Sequence, residues 1–364
     1  MSEILASYYS MKNQKRIIVV LGVYRSGTSA LMKSLEVMGV RLPDPSEVRF
    51  NIFNEKGYWE DLDFFSFNLK LTQAAAVLEG RRREIMPLTE KEVDFLCEQG
   101  FFEKASQLLL EKLSGSEALG IKTSSFSILL PFWKKVFEKC NVKASFVIAL
   151  RNPLNVVASI EAAQEIIGKQ DHQKSFWIWI SYMLSSLEQT EGYERVLVDY
   201  DELLKDPARE IERIAHACQL EMIDERLQTY CDDFIDRSLC HFHGEQDRFL
   251  EDGSCRAFAV EMYEKLYPVA KGVSDFQELK SSLEKWRAPF LLAEPLLVLV
   301  EKAEYEVKKI QATLQEREQI ITSLHAQVNE QMHSLANCYT TVHQRNLQVA
   351  ALMKEKAVIS QRSG

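Results

Sequence analysis

Apolar and polar positions along the 364-residue chain follow three successive rhythms. From about Gln14 to about Asp206, short apolar runs rich in β-branched residues alternate with stretches of helical spacing. The runs are RIIVVL (Arg16 to Leu21), ALGIKT (Ala118 to Thr123), ASFVIAL (Ala144 to Leu150) and RVLVDY (Arg195 to Tyr200). Each ends in polar or glycine punctuation before a helical pattern begins. That alternation predicts parallel strands joined by crossover helices. The fold class read from it is α/β, a P-loop-like parallel sheet flanked by helices. From about Pro207 to Pro295 the pattern is mostly helical, with a loop-like stretch from His241 to Ser254.

The third rhythm runs from Leu296 to Ser363, a stretch without proline or glycine. Steps of seven from Val300 reach Val307, Leu314, Ile321, Val328, Leu335, Val342 and Val349, all aliphatic. The companion series from Ala303 is interrupted by Arg317, Gln331 and Arg345. A sustained heptad of this kind predicts a coiled coil and, through it, a homo-oligomer. A helix folded back on the globular part is the alternative. The expected division is therefore 14–295 for the α/β domain and 296–363 for the coiled-coil helix.

Composition narrows the class. The chain is 46% hydrophobic and 27% charged, as in a soluble globular protein. A net charge of -9 argues against a nucleic-acid partner. The N-terminal stretch lacks an apolar core of signal-peptide length. The longest apolar run near the C-terminal third, Phe290 to Val300, is too short for a membrane span and holds Glu294 and Pro295. Seven scattered cysteines without CxxC spacing read as reduced thiols of a cytoplasmic protein.

The chemistry centres on GVYRSGTS, Gly22 to Ser29, set between the first run and a helical pattern. Two glycines at P-loop spacing allow a tight path, and a helix start turns N–H groups toward an anion. A nucleoside-triphosphatase would place Lys after Gly27. Here Thr28 and Ser29 follow, and Arg25 supplies the fixed charge. Such a loop suits one substituted phosphate better than a magnesium triphosphate, and no metal is implied.

These residues resemble the 5′-phosphosulfate loop of sulfotransferases that use 3′-phosphoadenosine 5′-phosphosulfate (PAPS). FVIALRNPLNVVASIEA, Phe146 to Ala162, is similar to the family's 3′-phosphate segment, with Arg151, Pro153 and Ser159 in its pattern. NEKGYWED (Asn54 to Asp61), RVLVDYDELLKDPAREIERIA (Arg195 to Ala215) and FIDRSLCHF (Phe234 to Phe242) look like further segments of its bacterial and carbohydrate-directed branch. The resemblance covers about Gln14 to His243. It implies that Gly22, Arg25, Ser26, Gly27, Thr28 and Ser29 hold the 5′-phosphosulfate, and that Arg151 and Ser159 hold the 3′-phosphate. PAPS would be the co-substrate, and the acceptor a hydroxyl or amine on a carbohydrate, glycolipid or other small molecule.

Two departures bear on catalysis. Where cytosolic relatives carry K-T-H, this chain has Lys122-Thr123-Ser124, so the histidine base is absent. The K-D-P-R of bacterial relatives is absent as well. Lys122 resembles a second family lysine near the transferring group, and Arg25 stands where many relatives have Lys. A hydroxyl acceptor needs a general base. Glu60 is chosen, with Glu55, Asp61, His241 and His243 as alternatives. Tyr58 or Trp59 could stack on a ring, and Arg81-Arg82-Arg83 could attract an anion. A divergent P-loop kinase and a sulfotransferase-fold scaffold without activity are the competing readings.

Overall fold

The computed structural model describes residues 14–44, 56–81, 84–164, 171–235 and 253–362. Glu55, Arg82, Arg83, His241 and His243 lie outside the described residues. Strand β1 (Arg16–Leu21) leads through the glycine loop into α1 (Thr28–Ser34). Helices α2 (Leu62–Glu79), α3 (Glu90–Glu98) and α4 (Phe101–Leu113) precede β2 (Ala118–Ile121). Then come α5 (Phe126–Lys139), β3 (Lys143–Leu150), α6 (Pro153–Ala162), α7 (His172–Gln189) and β4 (Glu194–Asp199). Helices α8 (Tyr200–Lys205), α9 (Pro207–Ala217), α10 (Asp224–Thr229), α11 (Gly253–Ala270) and α12 (Lys280–Arg362) complete the order.

The four strands form one sheet in the order β2-β1-β3-β4, with every pairing parallel. All four are the runs read from the sequence, with ends differing by at most two residues. The chain leaves β1 for β2 on one side and returns to β3 on the other. A reversal of this kind opens a crevice at the strands' C-terminal ends, where open α/β sheets bind ligands. Both faces are covered, which is why the strands read as continuous apolar runs. Ile17, Val19 and Leu21 point into one buried cluster, and Ile18 and Val20 into the other. Trp133 of α5 anchors the larger cluster against Phe64, Phe126 and Phe137. Its indole N–H donates to Asn68 Oδ1 at 2.8 Å, and Asn68 donates on to Thr123 Oγ1 at 2.7 Å. The polar step beside Lys122 is thereby fixed from inside the core.

The C-terminal helix differs from the sequence expectation at its root. Pro289 and Pro295 lie inside α12 rather than ending a domain. Trp286, Phe290 and Leu297 are buried, and Glu301 is wholly so. The Glu301 carboxylate accepts N–H bonds from Glu84, Ile85 and Met86 at 2.7–3.1 Å and pairs with Arg81 at 3.1 Å. Contacts divide the chain into a compact unit ending at Glu304 and a second from Tyr305 onward. Arg81 is thus spent on Glu301 and Glu92 (3.6 Å) rather than offered to an anion. Among the described residues, no helix is long and apolar enough to cross a membrane.

Candidate functional site

The C-terminal ends of the strands deliver the groups that sequence reasoning singled out. After β1 the chain turns through Gly22 at φ 137° and Gly27 at φ 87°. A Cβ on Gly22 would fall 2.9 Å from that of Ala149, and one on Gly27 only 2.1 Å from the Tyr200 ring. Glycine is required at both positions by backbone angle and by space. Arg25 itself is left-handed at φ 71°, an uncommon state for a residue with a side chain. The Ser26 hydroxyl and N–H both turn back to the Val23 carbonyl, at 2.5 and 3.3 Å. Ser26 is fully buried, so both of its donors shape the loop from within. The Gly22 N–H donates to Ser127 Oγ at 3.2 Å, which ties the loop's first residue to α5.

Arg151, at the end of β3, donates to the Arg25 carbonyl at 2.9 Å and lies 4.8 Å over the Tyr200 ring. Its own carbonyl accepts from the Trp179 indole at 3.1 Å. Arg25 Nε donates to Ser159 Oγ of α6 at 2.9 Å. The three residues therefore form one cluster, although they come from two separate sequence motifs. Burial lowers the Arg25 guanidinium pKa from its ordinary value, and the neighbouring Arg151 charge acts in the same direction.

A second group gathers at the end of β2. Lys122 is buried, donates to Ser29 Oγ at 3.3 Å and to the Tyr58 carbonyl, and stands 3.6 Å from Glu60. Ser29 also donates to the Tyr58 carbonyl at 3.3 Å. Glu60 is buried too, just before α2, and its neighbour Asp61 is committed elsewhere. Asp61 caps α2 through the N–H groups of Asp63 and Phe64 and pairs with Lys112 at 2.7 Å. Asp61, one of the near alternatives to Glu60, thus serves as a helix cap and an ion-pair partner. Trp59, at φ 52°, packs edge-on to Phe234 and carries Lys33 over its ring at 4.4 Å. It is 8% exposed, so it belongs to the core rather than to an open stacking face. Thr28 begins α1 and is buried.

Sequence reasoning missed Tyr200, Ser127 and Trp179, which hold the loop and Arg151 from behind. None stands in a phosphate motif.

Taken together, the glycine loop and the strand ends carry three cations (Arg25, Lys122, Arg151) and the hydroxyl residues Thr28, Ser29 and Ser159, with Glu60 beside Lys122. A donor set of this kind suits a multiply charged phosphate ester. The sequence profile of the sulfotransferase family matches residues 17–225, and the chain belongs to that family. Solved structures similar to it include the sulfotransferase domain of the Synechococcus PCC 7002 olefin synthase. That match has 17% identity and a TM-score of 0.41, over 69% of this chain and 95% of that one. The sulfotransferase domain of the curacin biosynthetic pathway matches at 14% identity and TM-score 0.37, over 74% and 98% of the two chains. A mouse sulfotransferase complexed with PAP matches at 12% identity and TM-score 0.35, over 66% and 83%. No curated protein matches the chain.

Proposed function

We propose that the protein transfers a sulfuryl group from PAPS to an acceptor hydroxyl or amine, with a carbohydrate as the acceptor class. The observation that carries the reading is the buried Glu60–Lys122 pair beside Ser29, one loop away from the Arg25–Ser159–Arg151 cluster. The donor set fits PAPS. Two guanidinium groups, an ammonium and three hydroxyls match its charge, and the glycine loop lets backbone N–H groups approach closely. PAPS would supply the sulfuryl group and the leaving phosphate. Arg151 and Ser159 would hold the 3′-phosphate, and the loop from Gly22 to Ser29 the 5′ side.

In this reading Glu60 Oε takes the proton of the acceptor hydroxyl as its oxygen attacks. The Lys122 ammonium stands beside the Ser29 hydroxyl, where negative charge would grow on the departing oxygen. Arg25 adds a fixed charge but holds its proton. The chain's ion pair therefore supplies both a base and a charge stabiliser without the histidine of K-T-H relatives. The carbohydrate assignment is supported by the NEKGYWED resemblance. We also place self-association in the helix beyond Glu304.

Calorimetric titration with 3′-phosphoadenosine 5′-phosphate against magnesium ATP tests the binding half. Selective binding of the former, weakened by Arg151→Ala, is expected. A preference for magnesium ATP would move the protein to the kinases, and binding of neither would leave a scaffold. For the chemical half, Glu60→Gln should lower kcat by about 10²–10⁴-fold with nucleotide affinity kept, the usual range for losing a general base. An unchanged kcat would remove Glu60 from that role.

A further inference from the structure

Beyond Glu304 the helix carries its apolar residues in the open. From Glu306 to Ala357 every residue is exposed. In the first part, Val307, Ile310, Leu314, Ile321 and Leu324 recur at alternating steps of three and four, with only Arg317 breaking the series. Continued unchanged, the companion series would pass through Gln331, Cys338 and Arg345, which suit it poorly, before reaching Leu352. The apolar residues instead lie one position further on. From Val328 the steps run four then three through Met332, Leu335, Tyr339, Val342, Val349 and Met353, with Asn346 at the one polar place. Leu324, Val328 and Met332 are thus separated by two successive steps of four. That is the signature of a four-residue insertion, which locally unwinds a left-handed supercoil and lets one seam hand over to the next.

We infer that residues beyond Glu304 form a parallel, two-stranded coiled coil with a second copy of this chain, and that its core changes heptad phase at Val328. The inference rests on the reading of this helix as self-associating and adds the register, the orientation and the strand number.

Three observations favour a second copy over a different partner. The twelve apolar seam residues are each 51–71% exposed. Together they offer on the order of 1,000 Å² per helix, above the ~800 Å² each partner gives up in an interface of standard size. Next, charge is nearly absent where a foreign partner would be chosen. Between Gln319 and Met353 the only formal charges are Glu330 and Arg345. Flanking charges are what set partner choice in coiled coils, and a seam without them selects by shape alone. The polar core positions are also self-complementary. Asn346 can donate to and accept from its own copy at the same level. A lone asparagine at such a place fixes register and favours two strands. Arg317 directly precedes Glu318, so in a parallel pair each arginine meets Glu318 of the second copy.

The test uses the full chain in sedimentation and light scattering. A dimer is expected. The Met332→Lys/Tyr339→Lys variant should associate at least ~100-fold more weakly, because two ammonium groups enter the seam. Gln331→Lys/Cys338→Lys, which charges the unshifted seam, should leave the dimer intact. Met353→Cys should form a covalent dimer under mild oxidation beyond the level of the unsubstituted chain, because the two thiols face each other only in a parallel pair. Binding of 3′-phosphoadenosine 5′-phosphate by each variant confirms that the globular unit is intact. A monomeric wild-type chain would overturn self-association altogether, and a trimer would overturn the strand number. Loss of the dimer in the Gln331/Cys338 variant but not the other would overturn the phase change alone. Absence of the Met353→Cys crosslink would overturn the parallel orientation.

Discussion

Glu301 and Val307 stand fewer than two turns apart on the same helix, yet they live under different physics. Glu301 is fully buried, and its carboxylate is saturated by three backbone N–H groups and a guanidinium. Val307 is 52% exposed. At the helical root, Glu301 is fixed by tertiary partners more than 200 residues away in sequence. The distal stretch is exposed from Glu306 to Ala357 and is marked by the period of its apolar residues. A periodic seam is readable because it repeats, whereas a single buried acid is not. The difference shows why the heptad count extended naturally to Val300 and missed the residue that anchors the root.

Removing that anchor is the largest way to break the contrast. Glu301→Ala leaves Arg81 and three N–H groups buried with less to bind. Breaking a buried pair of this kind costs about 3–5 kcal/mol, and thermal denaturation should show it. An equal loss from Val307→Ala would erase the distinction between root and distal stretch.

Asp199 sharpens the comparison as a buried acid with poorer company. It caps α8 through the N–H groups of Asp201 and Glu202 at 3.0 and 3.2 Å and accepts from the Tyr263 hydroxyl at 3.2 Å. Among the described residues, no guanidinium pairs with it as Arg81 does with Glu301. Burial, with a smaller push from Asp201, raises its pKa to about 7. Its folded value therefore lies above its unfolded one, so the stability it contributes is full below about pH 4 and falls as pH rises to about 7. Across that window the loss amounts to roughly 4 kcal/mol. Asn keeps the cap without the charge. The melting temperature of Asp199→Asn relative to wild type should accordingly climb from pH 4 to pH 7 and then level off. A difference that stays flat with pH would mean that Asp199 titrates as an ordinary carboxyl.

How far the site was legible follows the same division. The four strands, the loop at Gly22 to Ser29 and the Arg151–Ser159 segment were readable, because alternation and fixed spacing are local signals. Lys122 beside Glu60 was half-readable. Each was singled out, but only the fold puts them 3.6 Å apart. Three features were not readable: Tyr200 under Gly27, Ser127 holding Gly22, and the Ser26 hydroxyl turned inward. The first two depend on which strand ends become neighbours, and the strand order β2-β1-β3-β4 is not written in any one segment; the third is a bond within the loop, to Val23, that residue types alone do not announce. The proline inside α12 misled for a related reason. Pro295 is a helix breaker by local rules, yet the root continues through it because packed partners lie on either side, at Phe290 and at Leu297 and Glu301.

Gly27→Ala probes the loop, where space rather than charge is limiting. The added Cβ would lie 2.1 Å from the Tyr200 ring, at a φ of 87° that alanine disfavours. Overpacking with backbone strain costs about 2–3 kcal/mol. Because Tyr200 also lies under Arg151, 3′-phosphoadenosine 5′-phosphate should bind more weakly than the stability loss alone explains. Wild-type affinity in a folded Gly27→Ala protein would show that the Tyr200 ring yields freely.

The smallest expected effect is the most discriminating. A chain ended after Glu304 keeps Trp286, Phe290, Leu297 and Glu301, the buried residues of α12 among those described. It loses only the second unit, from Tyr305 onward. Its melting transition should match that of the full chain within ~0.5 kcal/mol, the scale of surface changes, and its nucleotide affinity should be unchanged. A chain ended after Pro295, the boundary read from the sequence, loses Leu297 and Glu301 together and should fall by at least as much as Glu301→Ala. If the two truncations behave alike, the root is not part of the α/β unit. If only the shorter one fails, the helix changes role between Glu301 and Val307, with the first part completing one chain's core and the rest left to pair with another.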